Sequence, residues 1–485
     1  MVSPSVPDAV QPRPSLDEVL APGSPVDGIA RRFVDSGHEL YLVGGPVRDA
    51  LLGRPAQDLD FATDATPEET EAMLQPLAES VWLQGAKYGT VGALLSGIHV
   101  EITTFRTEKY QPSSRHPEVT FEKSIETDLS RRDFTVNAMA IRLPDREPVD
   151  PFGGRRDVDR RVLRTPADPR DSFSDDPLRM LRAFRFASQL GFKIDREARV
   201  AIEELASLID TVSAERIRDE LSRLVVGREP ASALRLADST GLTDRFLPEL
   251  SSLKLEQDPV HRHKDVFAHT LAVIERTAPE LELRLAALLH DIGKPKTRTI
   301  GPDGVSFHHH EVVGARMAAE RLRALRYPNE VVQEVERLIY LHHRFHTYRL
   351  GWSDSAVRRY VRDAGGELVQ LNALVRADCT TRNATKAKQL AERMDELEDR
   401  ISALAQREEL ERIRPDLDGE QVMAYLGVPP GPIVGEALAA LLEVRLEEGP
   451  LGEDEAYSRL DAWARERGIE PAGDKRPAKP KKKKA

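Results

Sequence analysis

The chain is poor in cysteine. Cys379 is the single one among 485 residues, which excludes an internal disulfide and fits a reducing cytoplasm. No apolar run approaches the roughly 18 residues that a membrane span needs. The opening stretch, MVSPSVPDAVQPRPSLDEVLAPGSP, lacks both a basic start and an apolar segment, the two marks of a secretory signal. Residues 1–25 are expected to be a disordered leader. No internal repeat is present. What remains is 40% hydrophobic and 31% charged, the balance of a globular protein of about three domains.

Net charge is −11, yet the last 15 residues, PAGDKRPAKPKKKKA, carry seven Lys/Arg and one Asp. A basic, disordered tail (471–485) on an acidic body is expected, and any nucleic-acid surface on that body must be a local basic patch. Strand-like runs fill the first third: ELYLVGG, DLDFAT, GTVGALLSG and HVEITTFR. After about residue 170 the pattern is helical. AERIRDELSRLVVG has Ser213 as N-cap, and LRLAALLHDIGKP reads as a buried helix stopped by Gly293 and Pro295. The expected fold is α+β: a small head of mixed sheet and helices, followed by a long all-α body.

The sharpest motif is LVGGPVRDALLGRPAQDLDFAT, residues 42–63. Gly44 and Gly45 end a strand and open a helix, where exposed amides suit a phosphate; Arg48 adds charge on the first turn. Asp58 and Asp60 lie two apart on a strand and share a face. Two such carboxylates repel unless cations intervene, and a pair of Mg²⁺ ions would settle that charge and activate a hydroxyl for in-line attack on phosphate. Glu101, on a later strand, is the candidate third carboxylate.

These residues resemble the signature of class II tRNA nucleotidyltransferases, the CCA-adding enzymes and bacterial poly(A) polymerases. The resemblance continues in order through RRDFTVNAMA (131–140), DPFGG (150–154), DDPLRMLRAFRFA (175–187) and SAERIRDEL (213–221). It implies catalysis by Asp58, Asp60 and Glu101, with Mg²⁺ on the two aspartates. It implies nucleotide binding by Gly45, Arg48, Arg132, Asp133, Asp176, Arg179, Arg182 and Arg185. Arg132 can pair with a triphosphate and Asp133 can accept from a ribose hydroxyl. TEKYQPSSRHPEVTF (107–121), with Arg115, resembles the flexible loop of the full CCA-adding enzymes, which CC-only relatives lack.

Arg179, Arg182 and Arg185 recur every three residues and form a slanting stripe on one helix face, opposite Met180, Leu181, Phe184, Ala187 and Leu190. By the resemblance, Asp176 and Arg179 imitate a Watson–Crick partner. C and A both offer an amine donor beside a ring-nitrogen acceptor; ionised Asp only accepts and Arg only donates. Arg182 and Arg185 are expected to hold phosphate. Asp175, where the family usually has Glu, and Pro177 read as N-cap and first residue of the helix.

The body holds a second pattern: His269, His290 and Asp291, His308 to His310, His342, His343, His346 and Asp378. The order H…HD…D resembles the HD phosphohydrolase superfamily, which implies a second divalent metal on His269, His290, Asp291 and Asp378. Of the three consecutive histidines, His309 and His310 are the favoured ligands. The expected layout is a leader (1–25), a catalytic head (26–165), a base-reading neck (166–230), an HD-type domain (231–385), a tRNA-binding region (386–470) and the tail. The resemblance implies addition of the terminal CCA to the tRNA 3′ end from CTP and ATP, in the cytoplasm, with no membrane or obligatory protein partner. The rivals are a poly(A) polymerase or A-adding enzyme, an HD phosphohydrolase, and a non-catalytic RNA-binding protein.

Overall fold

The computed structural model describes residues 15–55, 59–109, 118–255, 265–301, 304–347, 352–379, 384–408, 410 and 413–471. It divides into two compact units: residues 1–254 with 321–327, and residues 255–320 with 328–485. No described helix is long and apolar enough to cross a membrane.

The described strands of the first unit are β1 Leu40–Val43, β2 Leu59–Thr63, β3 Ser80–Trp82, β4 Thr90–Leu95, β5 Ile98–Thr104, β6 Arg106–Lys109, β7 Glu118–Phe121, β8 Ala140–Leu143, β9 Glu147–Val149, β10 Val162–Leu163 and β11 Lys193–Ile194. Seven of them form one sheet in the order β3-β4-β5-β2-β1-β8-β9. All its pairs are antiparallel except β2 with β5. Alternation assigns the faces. Leu40, Leu42, Phe61, Val91, Val100 and Ile102 are buried on one, where helices Pro25–Asp35 and Pro67–Leu74 pack. The first of these starts at a Ser24 cap and the second at a Thr66–Glu69 capping box. The other face is only partly covered: Tyr41, Val43, Ala62 and Ala140 pack with Phe105, Ile125 and Leu129. The uncovered remainder carries Asp60 and Glu101.

Helix Leu178–Leu190 is the axis of the next segment and packs against Ala214–Val225 and Pro230–Ser239. The latter contact carries the first unit on to Lys254. Met180, Leu181, Phe184 and Leu190 are buried as the periodicity requires.

In the second unit, helices Val266–Arg276, Leu281–Leu289, Asn329–Leu341 and Leu368–Asp378 pack on one another. Helix Leu281–Leu289 ends four residues before Gly293, so that glycine is not its stop signal. Farther on, the long helix Ala384–Arg407 precedes three helices whose core includes Leu417, Val422, Leu441, Tyr457 and Leu460.

Candidate functional site

Asp60 and Glu101 are register partners on the parallel strands β2 and β5. Their side chains therefore leave the sheet on the same face, one strand spacing apart, about 4.8 Å. Glu101 is exposed and Asp60 half-buried. The row extends through Gly92 to Trp82. A Cβ on Gly92 would sit 2.0 Å from the Trp82 indole nitrogen, so this glycine lets the ring lie flat across the strand beside the carboxylates. Two carboxylates set side by side on an uncovered sheet face form an all-oxygen donor set that suits a hard divalent cation. Asp58 and Arg115 lie outside the described residues.

The glycine turn is built as the sequence suggests. Gly44 caps helix Gly45–Leu51 with φ at +74°, which a side chain rarely adopts. A Cβ there would also lie 2.8 Å from Nη1 of Arg132, so the turn and the Arg132 guanidinium close on one point. Arg132 is itself steered by the buried Asp128, which accepts from Arg131 at 2.7 Å and from Arg132 at 3.1 Å. Burial alone would raise the Asp128 pKa, but the two guanidiniums outweigh it and hold the carboxylate charged.

Arg48 turns inward. It pairs with Asp49 and donates to Asn137 Oδ1 at 2.6 Å. Asn137 in turn donates to Asp133 Oδ1 at 2.9 Å. Asp133 also accepts from the Phe134 amide at 2.8 Å and from Arg182 Nε and Nη2 at 2.8 and 2.6 Å. That fills the four acceptor positions of a carboxylate, so a ribose hydroxyl finds none open. The physical reason is tertiary: the arginine stripe docks onto this residue. Arg182 reaches on to Glu220 at 3.3 Å, and Arg185 lies 3.1 Å from the same carboxylate. Phe186 lies beneath the guanidiniums of Arg48, Arg182 and Arg185, whose carbons are 5.4, 5.6 and 4.1 Å from its ring centre.

Arg182 and Arg185 therefore hold carboxylates, not an open phosphate pocket. Burial works against the charge on Arg185 and brings its pKa down to about 10, still charged at neutral pH. For Arg182 burial also opposes the charge, but Asp133 and then Glu220 override it.

Asp176 and Arg179 occupy the start of the same helix. Pro177, not Asp175, holds the N-cap position; just before it, Asp176 Oδ1 accepts from the Leu178 amide at 3.2 Å and its Oδ2 accepts from Arg216 at 2.9 Å. Asp175 is the exposed last residue of helix Pro169–Asp175, and Pro177 precedes helix Leu178–Leu190. Arg179 donates to Ser172 Oγ at 2.8 Å and to the Arg131 carbonyl. Helix Ala214–Val225, capped by Ser213, thus braces the stripe through Arg216 and Glu220. Asn137, Arg216 and Glu220 are absent from the expected site. Their own motifs, RRDFTVNA and SAERIRDEL, contain them, but only the fold shows what they touch.

The second unit gathers a buried cluster. His269 Nε2 is 2.9 Å from Asp378 Oδ1 and 3.5 Å from Asp291 Oδ2. His290 Nε2 is 3.3 Å from Asp291 Oδ2 and 3.6 Å from Asp378 Oδ1. Lys294 donates to Asp291 Oδ2 at 2.6 Å. Burial disfavours a charged His290, yet Asp291 and Asp378 outweigh it and push its pKa up to about 10. His309 is a correction: its side chain is 82% exposed, whereas His310 is buried against Asp291. His342, buried beside His310, joins the cluster as well.

Three family models match: "Poly A polymerase head domain" over residues 40–164, "Probable RNA and SrmB- binding site of polymerase A" over 191–254, and "HD domain" over 266–410. The chain is 34% identical to an A-adding tRNA nucleotidyltransferase of Deinococcus radiodurans, covering 88% of this chain and 95% of that protein. It is 33% identical to a CCA-adding enzyme of Geobacillus thermodenitrificans, covering 91% and 96%. Among solved structures, the Bacillus stearothermophilus CCA-adding enzyme in complex with CTP matches with a TM-score of 0.66 and 29% identity, over 94% of this chain and 99% of that one.

Proposed function

The chain belongs to the family of tRNA nucleotidyltransferases, and on that footing we propose that it completes the 3′-terminal CCA of tRNA from CTP and ATP, without a nucleic-acid template. The observation that carries this reading is the in-register pair Asp60–Glu101 on an open sheet face, in one compact unit with the Asp176–Arg179 helix start. The first supplies nucleotidyl-transfer chemistry and the second a protein edge for the base.

Head and HD domains of this kind depend on divalent metal. In the head, Asp58, Asp60 and Glu101 would hold Mg²⁺, which supplies Lewis-acid activation of the primer hydroxyl and neutralises phosphate charge. The primer 3′ oxygen bonds to the α-phosphorus of CTP or ATP, the bond to the β-phosphate oxygen breaks, and pyrophosphate leaves. Gly45 and Arg132 would receive the triphosphate. Arg48, Asp133, Arg182 and Arg185 act as positioning residues, a clasp between the RRDFTVNA segment and the base-reading helix. In the other unit, His269, His290, Asp291 and Asp378 would hold a second kind of divalent metal, a setting for phosphoester hydrolysis.

The choice of base rests on Asp176. With two of its four acceptor positions taken by Leu178 and Arg216, it keeps acceptor capacity for the exocyclic amine of C or A, while Arg179 faces the ring nitrogen. UTP and GTP would present a carbonyl to a carboxylate, a mismatch worth orders of magnitude in a site built for hydrogen bonds. Arg216→Ala frees the Asp176 carboxylate to rotate. It should raise UTP incorporation relative to CTP on the order of 10²-fold, with CTP incorporation reduced far less. Steady-state competition between the nucleotides measures this. A wild-type chain that incorporates UTP as readily as CTP contradicts the base-reading assignment.

A further inference from the structure

The sheet row that carries the catalytic pair does not end at Glu101. Asp60 pairs with Glu101, Glu101 with Gly92, and Gly92 with Trp82. Residues in register across a sheet share a face, so Trp82 stands on the same uncovered face as the two carboxylates. A Cβ on Gly92 would lie 2.0, 2.2 and 2.7 Å from Nε1, Cε2 and Cζ2 of the indole. The ring therefore rests on bare backbone and reaches across β4 toward Glu101. His99, two residues before Glu101 on β5 and so on the same face, has its ring centre 5.6 Å from that of Trp82. Trp82 is only half-buried and His99 is exposed. An indole propped on a glycine at the rim of an open sheet face offers a π-surface to whatever occupies that face.

At its other end the row meets the phosphate side. Leu42 pairs with Phe61, so the next residues along, Val43 and Asp60, bring the Gly44 turn level with the carboxylates. The order along the row is the glycine turn with Arg132, then Asp60, Glu101, Gly92 and Trp82. Phosphoryl transfer sets the attacking and leaving oxygens roughly in line through phosphorus. With the triphosphate at the turn, pyrophosphate leaves on that side. The attacking hydroxyl then comes from the opposite side, where Trp82 and His99 lie. The base that arrives there belongs to the RNA primer, since the base of the incoming nucleotide goes to Asp176 and Arg179.

We propose that Trp82, with His99 beside it, is the stacking platform for the last base of the primer and so holds the 3′ hydroxyl beside Asp60 and Glu101. The inference rests on the reading of the chain as a tRNA nucleotidyltransferase that extends a 3′ end. Aromatic stacking tolerates any base, because every base has a π-face. That tolerance suits the reaction. The primer ends first in the base before CCA, then in C, then in C again, and one platform serves each round. Trp82 binds and aims the primer; the chemistry stays with the carboxylates.

The test crosses a change in the protein with a change in the primer. The full chain, Trp82→Ala and Trp82→Phe each extend two tRNA transcripts with CTP. One ends in an ordinary nucleotide; in the other the last nucleotide is abasic but keeps its ribose and 3′ hydroxyl. For the unmodified chain, loss of the base should lower kcat/KM for tRNA about 10-fold, within the worth of one stacked base. Trp82→Ala should lose about as much on the intact primer and then be nearly indifferent to the abasic end. Trp82→Phe keeps a ring and should keep most of the sensitivity to the base. KM for CTP should stay the same throughout, which a merely structural role for the indole would not ensure. An unmodified chain that extends both primers equally well would overturn the inference, whether or not the variants fold. So would losses from the two changes that simply multiply. No extension of the intact primer by the unmodified chain would overturn this inference and the proposed function together.

Discussion

Asp60→Asn is expected to cut nucleotide addition by about 10³-fold or more while leaving the fold intact. The substitution keeps the size of the side chain and removes its charge. The same strand still pairs with β1 and β5, and Glu101 still sits beside it. Lost is the negative charge that binds metal, and removing even one well-placed electrostatic partner in a transition state costs about 10²–10³ in rate; here the partner is the metal itself. The fold itself should persist, because the strand keeps its pairs with β1 and β5. A single-turnover assay with CTP, beside a melting curve, checks both. An active Asp60→Asn chain would remove the catalytic reading of the open sheet face.

Asp133→Asn should cost about 3 kcal/mol of stability at neutral pH. Breaking a buried ion pair by removing one partner costs about 3–5 kcal/mol. The lower end applies because Arg182 is part-exposed and keeps Glu220. The loss should depend on pH in a defined direction. Burial raises the Asp133 pKa, but Arg182 and Asn137 more than reverse this and hold it well below the usual value. A carboxylate depressed in the folded state binds fewer protons than in the unfolded chain. Its contribution is therefore full above the unfolded pKa of about 4 and fades as pH falls toward the folded one. The gap between wild type and variant in urea midpoint should be constant from pH 7 to pH 5 and shrink below pH 4. A gap that persists undiminished at pH 3 would show that the pair is not what stabilises the clasp.

Much of the site was legible in the sequence because its signals are local. A glycine pair at the end of an apolar run needs only φ and helix geometry. The partnership of Asp60 with Glu101 follows once both segments read as strands. The arginine stripe shows where legibility stops. Its spacing placed three guanidiniums on one face, but not that Asp133, 49 residues back, and Glu220, 35 residues on, would meet them. Such pairing is set by how helix Leu178–Leu190 packs, which periodicity does not encode. So charges that looked available for phosphate turn out to be spoken for. The histidines make the same point. HHH at 308–310 and HH at 342–343 name five nitrogen-rich neighbours without choosing among them. The choice came from Gly293, whose missing Cβ admits the His310 backbone, while His309 swings out at a positive φ of 62°.

The relatives divide over the product, since one is an A-adding and another a CCA-adding enzyme. The most direct measurement is therefore the product itself. A tRNA transcript ending at the base before CCA is incubated with CTP, with ATP, and with both, and the 3′ ends are sequenced. The account predicts two C residues from CTP alone, no efficient extension from ATP alone, and CCA followed by a stop when both are present. Addition of A alone to a tRNA already ending in CC, with CTP refused, or an open-ended run of A, would contradict it.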